Sequence, residues 1–261
     1  MTLVDTHAHL HFPQYADDLE AVLDRAREAG VLTMVTVGTD GETNRAAVAL
    51  AGRVPGVYAT VGIHPHDAAA ATEADWADLE RLAGAPRVVA LGEMGLDFFK
   101  NFSPREAQEA AFRRQLALAR RARVPVVVHC RDAHAEALAI LGEAGAGEAG
   151  AGEGGVMHCF SGDVDVARRC LDRGLYLSLA GPVTYKNAHA LHAVARFVPG
   201  DRLVVETDCP FLPPHPRRGQ RNEPAWIALT LARVAELRGE EPARLAASTT
   251  ANARRLFRIA D

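Results

Sequence analysis

Lysine is nearly missing from this chain. Of 29 basic residues only Lys100 and Lys186 are lysines, and both fall in segments that follow strand-like runs. Cysteine is scarce as well. Cys130, Cys159, Cys170 and Cys209 stand apart without a C-x-x-C spacing, which excludes a zinc ribbon or a thioredoxin-type redox pair. They are expected to be free thiols of a cytoplasmic protein. No apolar run is long enough to span a bilayer, so no membrane association is expected. The opening Met1-Thr2-Leu3-Val4-Asp5-Thr6-His7 carries neither the basic nor the long apolar stretch of a targeting segment. A formal charge of −4 excludes a generally basic nucleic-acid binder but leaves room for a local basic rim. No G-x-G-x-x-G follows the first strand-like run, which removes the main reason to expect a dinucleotide-binding sheet.

What is present is a regular alternation. Short, β-branched apolar runs are expected as strands at Leu3–His7, Val31–Val37, Val57–Ile63, Val88–Leu91, Val126–His129, Val156–His158, Leu175–Leu179 and Leu203–Glu206. Runs such as Val126-Val127-Val128 are apolar on both faces, as buried parallel strands must be. Amphipathic stretches lie between them. Asp17–Ala29 is closed by Gly30 at the position of a left-handed cap. Ser103-Pro104-Arg105-Glu106 reads as a capping box opening a helix with Phe112, Leu116 and Ala119 on one face. Eight strand–helix units in 261 residues give an α/β protein, a single-domain (β/α)8 TIM barrel over residues 1–261. Gly142–Gly155 (GEAGAGEAGAGEGG) is low in complexity and is expected to be a flexible surface loop before the sixth strand.

The residues with chemistry fall at strand ends. His7-Ala8-His9 puts two imidazoles on one face at the end of the first strand, because side chains alternate with a period of two. Glu93 follows the fourth strand, His129 ends the fifth, His158 the sixth, and Asp208 the last. Singly, each has an ordinary role as a core histidine, a salt-bridge carboxylate or a helix cap. Together they gather at the C-terminal ends of five strands, the face on which barrels carry their active sites. A set of nitrogen and carboxylate ligands suits divalent ions such as zinc or manganese. His64, in Gly62-Ile63-His64-Pro65-His66, is expected to face the substrate or support the ligands, and His66 to be an ordinary loop histidine. Lys100, Arg131, Lys186, Arg218 and Arg221 are expected as a cationic rim for an anionic, phosphate-bearing substrate. Cys130, Cys159 and Cys209 each follow a proposed ligand, and alternation is expected to turn them away from it.

The motifs resemble the TatD family of metal-dependent deoxyribonucleases nearly end to end. The blocks are Asp5-Thr6-His7-Ala8-His9, Gly62-Ile63-His64-Pro65-His66, Gly92-Glu93-Met94-Gly95-Leu96-Asp97 and His129-Cys130-Arg131-Asp132-Ala133. They continue through His158-Cys159-Phe160-Ser161-Gly162, Glu206-Thr207-Asp208 and Arg218-Gly219-Gln220-Arg221-Asn222-Glu223-Pro224. The resemblance implies two divalent ions, magnesium, manganese or zinc, with His7, His9 and Asp208 on one, His129 and His158 on the other, and Glu93 shared. It further implies trimming of single-stranded DNA or RNA from the 3′ end. Gln220 departs from the family, which commonly has a lysine there, and Gly142–Gly155 is longer than the family's loop.

The catalytic set is then Asp208, Glu93 and His64. Asp208 is the candidate base for the attacking water, and His64 positions the phosphate or assists the leaving oxygen. Phe98, Phe99, Phe102 and Phe160 are candidates to stack an unpaired base, with core packing the alternative for at least half of them. A monomer acting on single-stranded nucleic acid is expected. Two rivals stand: a small-molecule ester, lactone or amide hydrolase of the same superfamily, and a non-catalytic metal or nucleic-acid-binding module.

Overall fold

The computed structural model describes residues 1–145 and 154–260. Eight strands form one sheet in sequence order, every neighbouring pair parallel. They are β1 (Leu3–Ala8), β2 (Val31–Val37), β3 (Val57–Val61), β4 (Val88–Asp97), β5 (Val126–Arg131), β6 (Gly155–Met157), β7 (Tyr176–Leu179) and β8 (Leu203–Val205). The helices are α1 (Leu19–Glu28), α2 (Gly41–Arg53), α3 (Glu73–Leu82), α4 (Arg105–Ala122), α5 (His134–Glu143), α6 (Val164–Leu171), α7 (His189–Phe197), α8 (Ile227–Arg238) and α9 (Pro242–Phe257). The ring closes just beyond β8. Ala8 bridges Cys209, the His9 N–H donates to the Cys209 carbonyl at 2.8 Å, and the Asp208 N–H donates to the His7 carbonyl at 2.9 Å. The closed barrel, and not the open sheet, is the architecture.

Local signals mostly act as expected. Gly30 follows α1 with φ +85° and its N–H reaches the Arg27 carbonyl, so the left-handed cap forms. Phe112, Leu116 and Ala119 are the buried stripe of α4. Ser103, however, does not cap that helix. Pro104 is the capping residue, and the Ser103 hydroxyl bonds the His66 carbonyl and the Ala69 N–H instead, pinning the β3–α3 connection. The fourth strand is also longer than expected. It runs through Glu93 to Asp97: the register shifts between Leu91 and Met94, where Gly92, at φ +139°, takes a backbone that side-chain-bearing residues would resist, and pairing resumes through Gly95, at φ +141°, opposite His129. Gly142 and Glu143 end α5 and Gly155 opens β6, so the expected Gly142–Gly155 loop is shorter at both ends; its residues 146–153 lie outside the described residues.

Two apolar clusters hold the layers. The larger lies between helices and sheet. The smaller joins Val4, Val35, Val37, Ala90, Val127, Val156, Tyr176 and Val204 from the strands to Ala253, Leu256 and Phe257 of α9. Thr250 of α9 bonds the Thr2 carbonyl, and Asn252 bonds Gly200 and Leu203, so α9 closes the end of the barrel where strands begin. The other end is left for chemistry.

Buried amides fix that end. Where the ladders stop, the backbone of Gly62 is bonded both ways by Asn44 (2.8 and 2.9 Å), that of Ile63 by Gln115 (2.8 and 3.0 Å), and that of Asp97 by Gln108 (2.8 and 3.2 Å). Asn222 donates to the carbonyls of Thr207 and Phe211 at 2.9 and 2.7 Å. These side chains replace absent strand neighbours, which satisfies buried peptide groups next to His64, Asp97 and Asp208.

Candidate active site

All six expected ligand residues converge at the strand ends, and they do so around one carboxylate. Glu93 Oε2 lies 3.4 Å from His7 Nε2 and 3.9 Å from His9 Nε2. Asp208 Oδ1 completes that group at 3.7 and 3.6 Å from the same two nitrogens, which are 3.3 Å apart. The other oxygen, Glu93 Oε1, lies 2.8 Å from His129 Nδ1, 2.7 Å from His158 Nε2 and 3.4 Å from His64 Nε2. Ligands about 2.1 Å from a four-coordinate ion sit about 3.4 Å from one another, so the first group has the spacing of a coordination shell. Three overlapping sets could hold a metal ion: His7, His9 and Asp208; His7, Glu93 and His158; and His64, Glu93 and His129.

The outer nitrogens of three imidazoles are tied down, which decides what the inner ones offer. His9 Nδ1 bonds the Val37 carbonyl at 2.8 Å, His158 Nδ1 bonds Glu206 Oε1 at 3.2 Å, and His129 Nε2 bonds Asp97 Oδ2 at 3.2 Å. Each of these partners is an acceptor, so a neutral ring would keep its proton outside and offer its lone pair inward to an ion. Facing only Glu93 and Asp208, whose charges help to outweigh burial and raise all three imidazole pKa values, the inner nitrogens carry protons as well. His64 is arranged the opposite way. Its Nδ1 accepts the His66 N–H at 3.1 Å, leaving Nε2–H to face the cluster, 3.4 Å from Glu93 Oε1. Burial pushes its pKa down to about 4, so it is a neutral donor near pH 7.

The carboxylates are kept ionised. Burial raises the pKa of Glu93, but His158, His64, His7 and the bond from His129 outweigh it and hold the group well below its ordinary range. Asp208 is likewise desolvated, yet the His9 hydrogen bond and nearby imidazoles bring it below the usual carboxylate value. Asp5 differs. It is buried, accepts the N–H groups of His7 and Thr207 and the Thr207 hydroxyl, and desolvation pushes its pKa up to about 7.

A cavity of about 550 Å³ opens above the cluster. Lys100 and Arg131 line it, but Lys186, Arg218 and Arg221 do not. Arg221 is held by both oxygens of Asp18 (2.8 and 2.6 Å) and lies over Tyr15, so its charge is spent on the α1 side. Arg218 lies over the Tyr185 ring. His66 is no idle loop residue: its Nε2 bonds Asp97 Oδ2 at 2.9 Å and its ring lines the cavity. Cys130 and Cys159 also reach the lining, Cys159 from a left-handed turn (φ +41°) that alternation does not describe, whereas Cys209 is buried beside Asp5. Of the candidate stacking rings, Phe99 and Phe102 are exposed, Phe160 is core, and Phe98 is partly buried under Arg105.

Asp97, Glu206, Asp5, Phe12 and Phe211 belong to the site or its support, and the reading of single strand ends missed them. A signal existed for the three carboxylates. Asp5 stands two residues before His7 and Glu206 two before Asp208, on the same strand face; Asp97 stands four after Glu93.

The model of TatD related DNases matches residues 4–258. The chain belongs to the TatD family. It is 46% identical over 257 residues to the uncharacterized metal-dependent hydrolase YabD of Bacillus subtilis (strain 168), covering 98% of this chain and 99% of that protein. It is 44% identical over 260 residues to the 3′-5′ ssDNA/RNA exonuclease TatD of Cronobacter sakazakii, covering 98% and 97%. The crystal structure of YJJV, a TatD homolog from Escherichia coli K12, is 32% identical with a TM-score of 0.93, covering 99% and 98%. This TatD-family chain is thus a relative of metal-dependent hydrolases along its whole length. Among the described residues, no helix is long and apolar enough to cross a membrane.

Proposed function

We propose that this protein is a divalent-metal-dependent phosphodiesterase that removes nucleotides from the 3′ end of single-stranded DNA or RNA. The observation that carries the reading is the divided Glu93 carboxylate, one oxygen facing His7 and His9 and the other facing His129 and His158. His7, His9 and Asp208 would hold one ion, His129 and His158 a second, and Glu93 would be shared. Such ions, magnesium, manganese or zinc, supply Lewis-acid polarisation of a phosphoryl oxygen and lower the pKa of water.

The chain's own groups do the rest. Asp208 is unprotonated and faces the cavity, so it accepts the proton of the attacking water. His64 donates its Nε2–H to an oxygen of the scissile phosphate as charge builds there. Lys100 and Arg131 bind a neighbouring phosphate. Glu206 and Asp97 keep His158 and His129 in the tautomers that the ligand role needs. The four free cysteines suit a reducing, cytoplasmic compartment.

A 5′-labelled single strand should shorten into a ladder with magnesium or manganese. Glu93→Ala should lose metal from both half-sites and lower turnover by more than the 10–100-fold typical of losing a group behind a ligand. Unchanged metal content with near-normal turnover would refute the shared-carboxylate assignment. Intact strands alongside rapid hydrolysis of a neutral ester or lactone would establish the small-molecule reading.

A further inference from the structure

The cavity has two unlike walls, and the barrel places them face to face. In a ring of eight strands in sequence order, the β8/β1 seam lies opposite the β4/β5 pair. Over the seam stand Phe12, Phe211 and Leu212, with no charged side chain among them. Over β4/β5 stand Phe99, Lys100 and Arg131, the ammonium 5.6 Å and the guanidinium 5.0 Å from the Phe99 ring. The Glu93 cluster lies between the walls.

The seam wall is held ready for a flat ligand. Phe12 stacks on His9 with centroids 4.6 Å apart and meets Phe211 edge-on at 6.2 Å. The Phe211 N–H donates to the Asp208 carbonyl, and its own carbonyl accepts from Asn222 at 2.7 Å, so the backbone beneath the ring is fixed. The ring itself stays 45% exposed. A pinned aromatic group left half in water beside a reaction centre offers stacking area without an ordering cost. The opposite wall has the complementary chemistry. Its two cations suit phosphate, and Phe99 and Phe102, 58% and 68% exposed, lead outward from it.

We infer that Phe12, Phe211 and Leu212 form the pocket for the base of the 3′-terminal nucleotide, and that the retained strand leaves over Lys100 and Arg131. This rests on the nuclease reading above. The departing nucleotide needs a bounded apolar pocket for one base, whereas the retained strand needs an open exit with a countercharge for each phosphate. The walls divide in that way. Stacking on a ring face tolerates every base, so the pocket selects for the presence of a base and not for its identity.

The test compares two 5′-labelled single strands that differ only at the 3′ residue, thymidine in one and an abasic tetrahydrofuran nucleotide in the other. With magnesium or manganese, the wild type should remove the thymidine nucleotide faster, by between about fivefold and a hundredfold in kcat/KM. Phe211→Ala should erase that difference, as should Phe211→Leu, which keeps apolar bulk over the seam, while Phe211→Tyr should retain it. Thymidine 5′-monophosphate should also inhibit the wild type more strongly than deoxyribose 5-phosphate, and equally weakly in Phe211→Ala. A wild type that cuts both strands at one rate, or a Phe211→Ala variant that keeps the difference, overturns the base pocket and leaves the nuclease reading standing. A wild type that leaves both strands whole overturns both.

Discussion

Gln115 provides a sharp test of how the strand ends are held. It is fully buried on α4, and its side-chain amide bonds the N–H and the carbonyl of Ile63 at 2.8 and 3.0 Å, one residue before His64. Gln115→Met keeps the shape but strands both Ile63 groups away from water. Each unsatisfied buried group costs about 1–3 kcal/mol, so the variant should lose roughly 2–6 kcal/mol. In a domain of this size about 1 kcal/mol moves Tm by ~2–4 °C, which gives a fall on the order of 5–20 °C. Gln115→Glu buries a carboxyl there: protonated, it can keep both bonds, and ionised it sets a buried charge against the Ile63 carbonyl, so its Tm should fall as pH rises. Calorimetric melting and urea titration measure both variants. Since total stability is about 5–15 kcal/mol, Gln115→Met should still fold at 25 °C, and its kcat should drop as His64 loses its anchor. A Gln115→Met protein that melts within about 2 °C of the wild type would show that the amide bonds do not secure this segment.

Lys100→Ala and Arg131→Ala should raise KM for single strands more at low salt than at high salt, because both cations line the cavity. Arg221→Ala should leave KM and its salt dependence alone and change stability little, since it breaks a solvent-screened pair with Asp18; an equal KM effect from Arg221 would refute the division. Asp5 should make stability fall as pH rises. Desolvation lifts its folded pKa to about 7 from an ordinary 3.8, so the folded state binds more protons than the unfolded state between those values. The favourable contribution is complete below about pH 4 and is lost as pH climbs through 7, a swing on the order of 4 kcal/mol. Asp5→Asn, whose amide oxygen can accept the same two N–H groups, should flatten the curve in urea titrations from pH 4 to 8; an unchanged slope would mean that Asp5 is ionised in the fold.

Much of the fold was legible because a buried parallel sheet writes itself as apolar runs. Val126-Val127-Val128 and Val31–Val37 needed no tertiary information. Strand ends were harder to read, for a definite reason. Gly92 looks like a stop, yet in a sheet it permits the shift of register between Leu91 and Met94 after which β4 runs on to Asp97. Ser103 failed as a cap because its hydroxyl found a tertiary partner in the β3–α3 connection, and such long-range competition leaves no mark in local sequence. The candidate ligand residues could be picked out, since position at the C-terminal end of a strand is a local property. The rim could not. Whether an exposed arginine faces a cavity depends on the partner it finds, and Arg221 found Asp18, 203 residues away in sequence.

Closing the barrel and building the site are one structural event. The seam between first and last strands has no long ladder; it depends on Ala8 meeting Cys209, on His9 and Asp208 exchanging backbone bonds with Cys209 and His7, and on Asp5 gripping Thr207. Thr6 adds a hydroxyl bond to the Val205 carbonyl at 2.9 Å. Every one of these contacts lies at, or one to three residues from, a candidate ligand. The three donors that span the seam, His7, His9 and Asp208, therefore come together only when the ring is shut. Any cation they bind must stabilise the closed ring over the open chain, by mass action on the folded state alone. A short β8 of three residues is tolerable on those terms, because the last strand's hold on the first comes from polar groups at the mouth, where the chemistry also needs them.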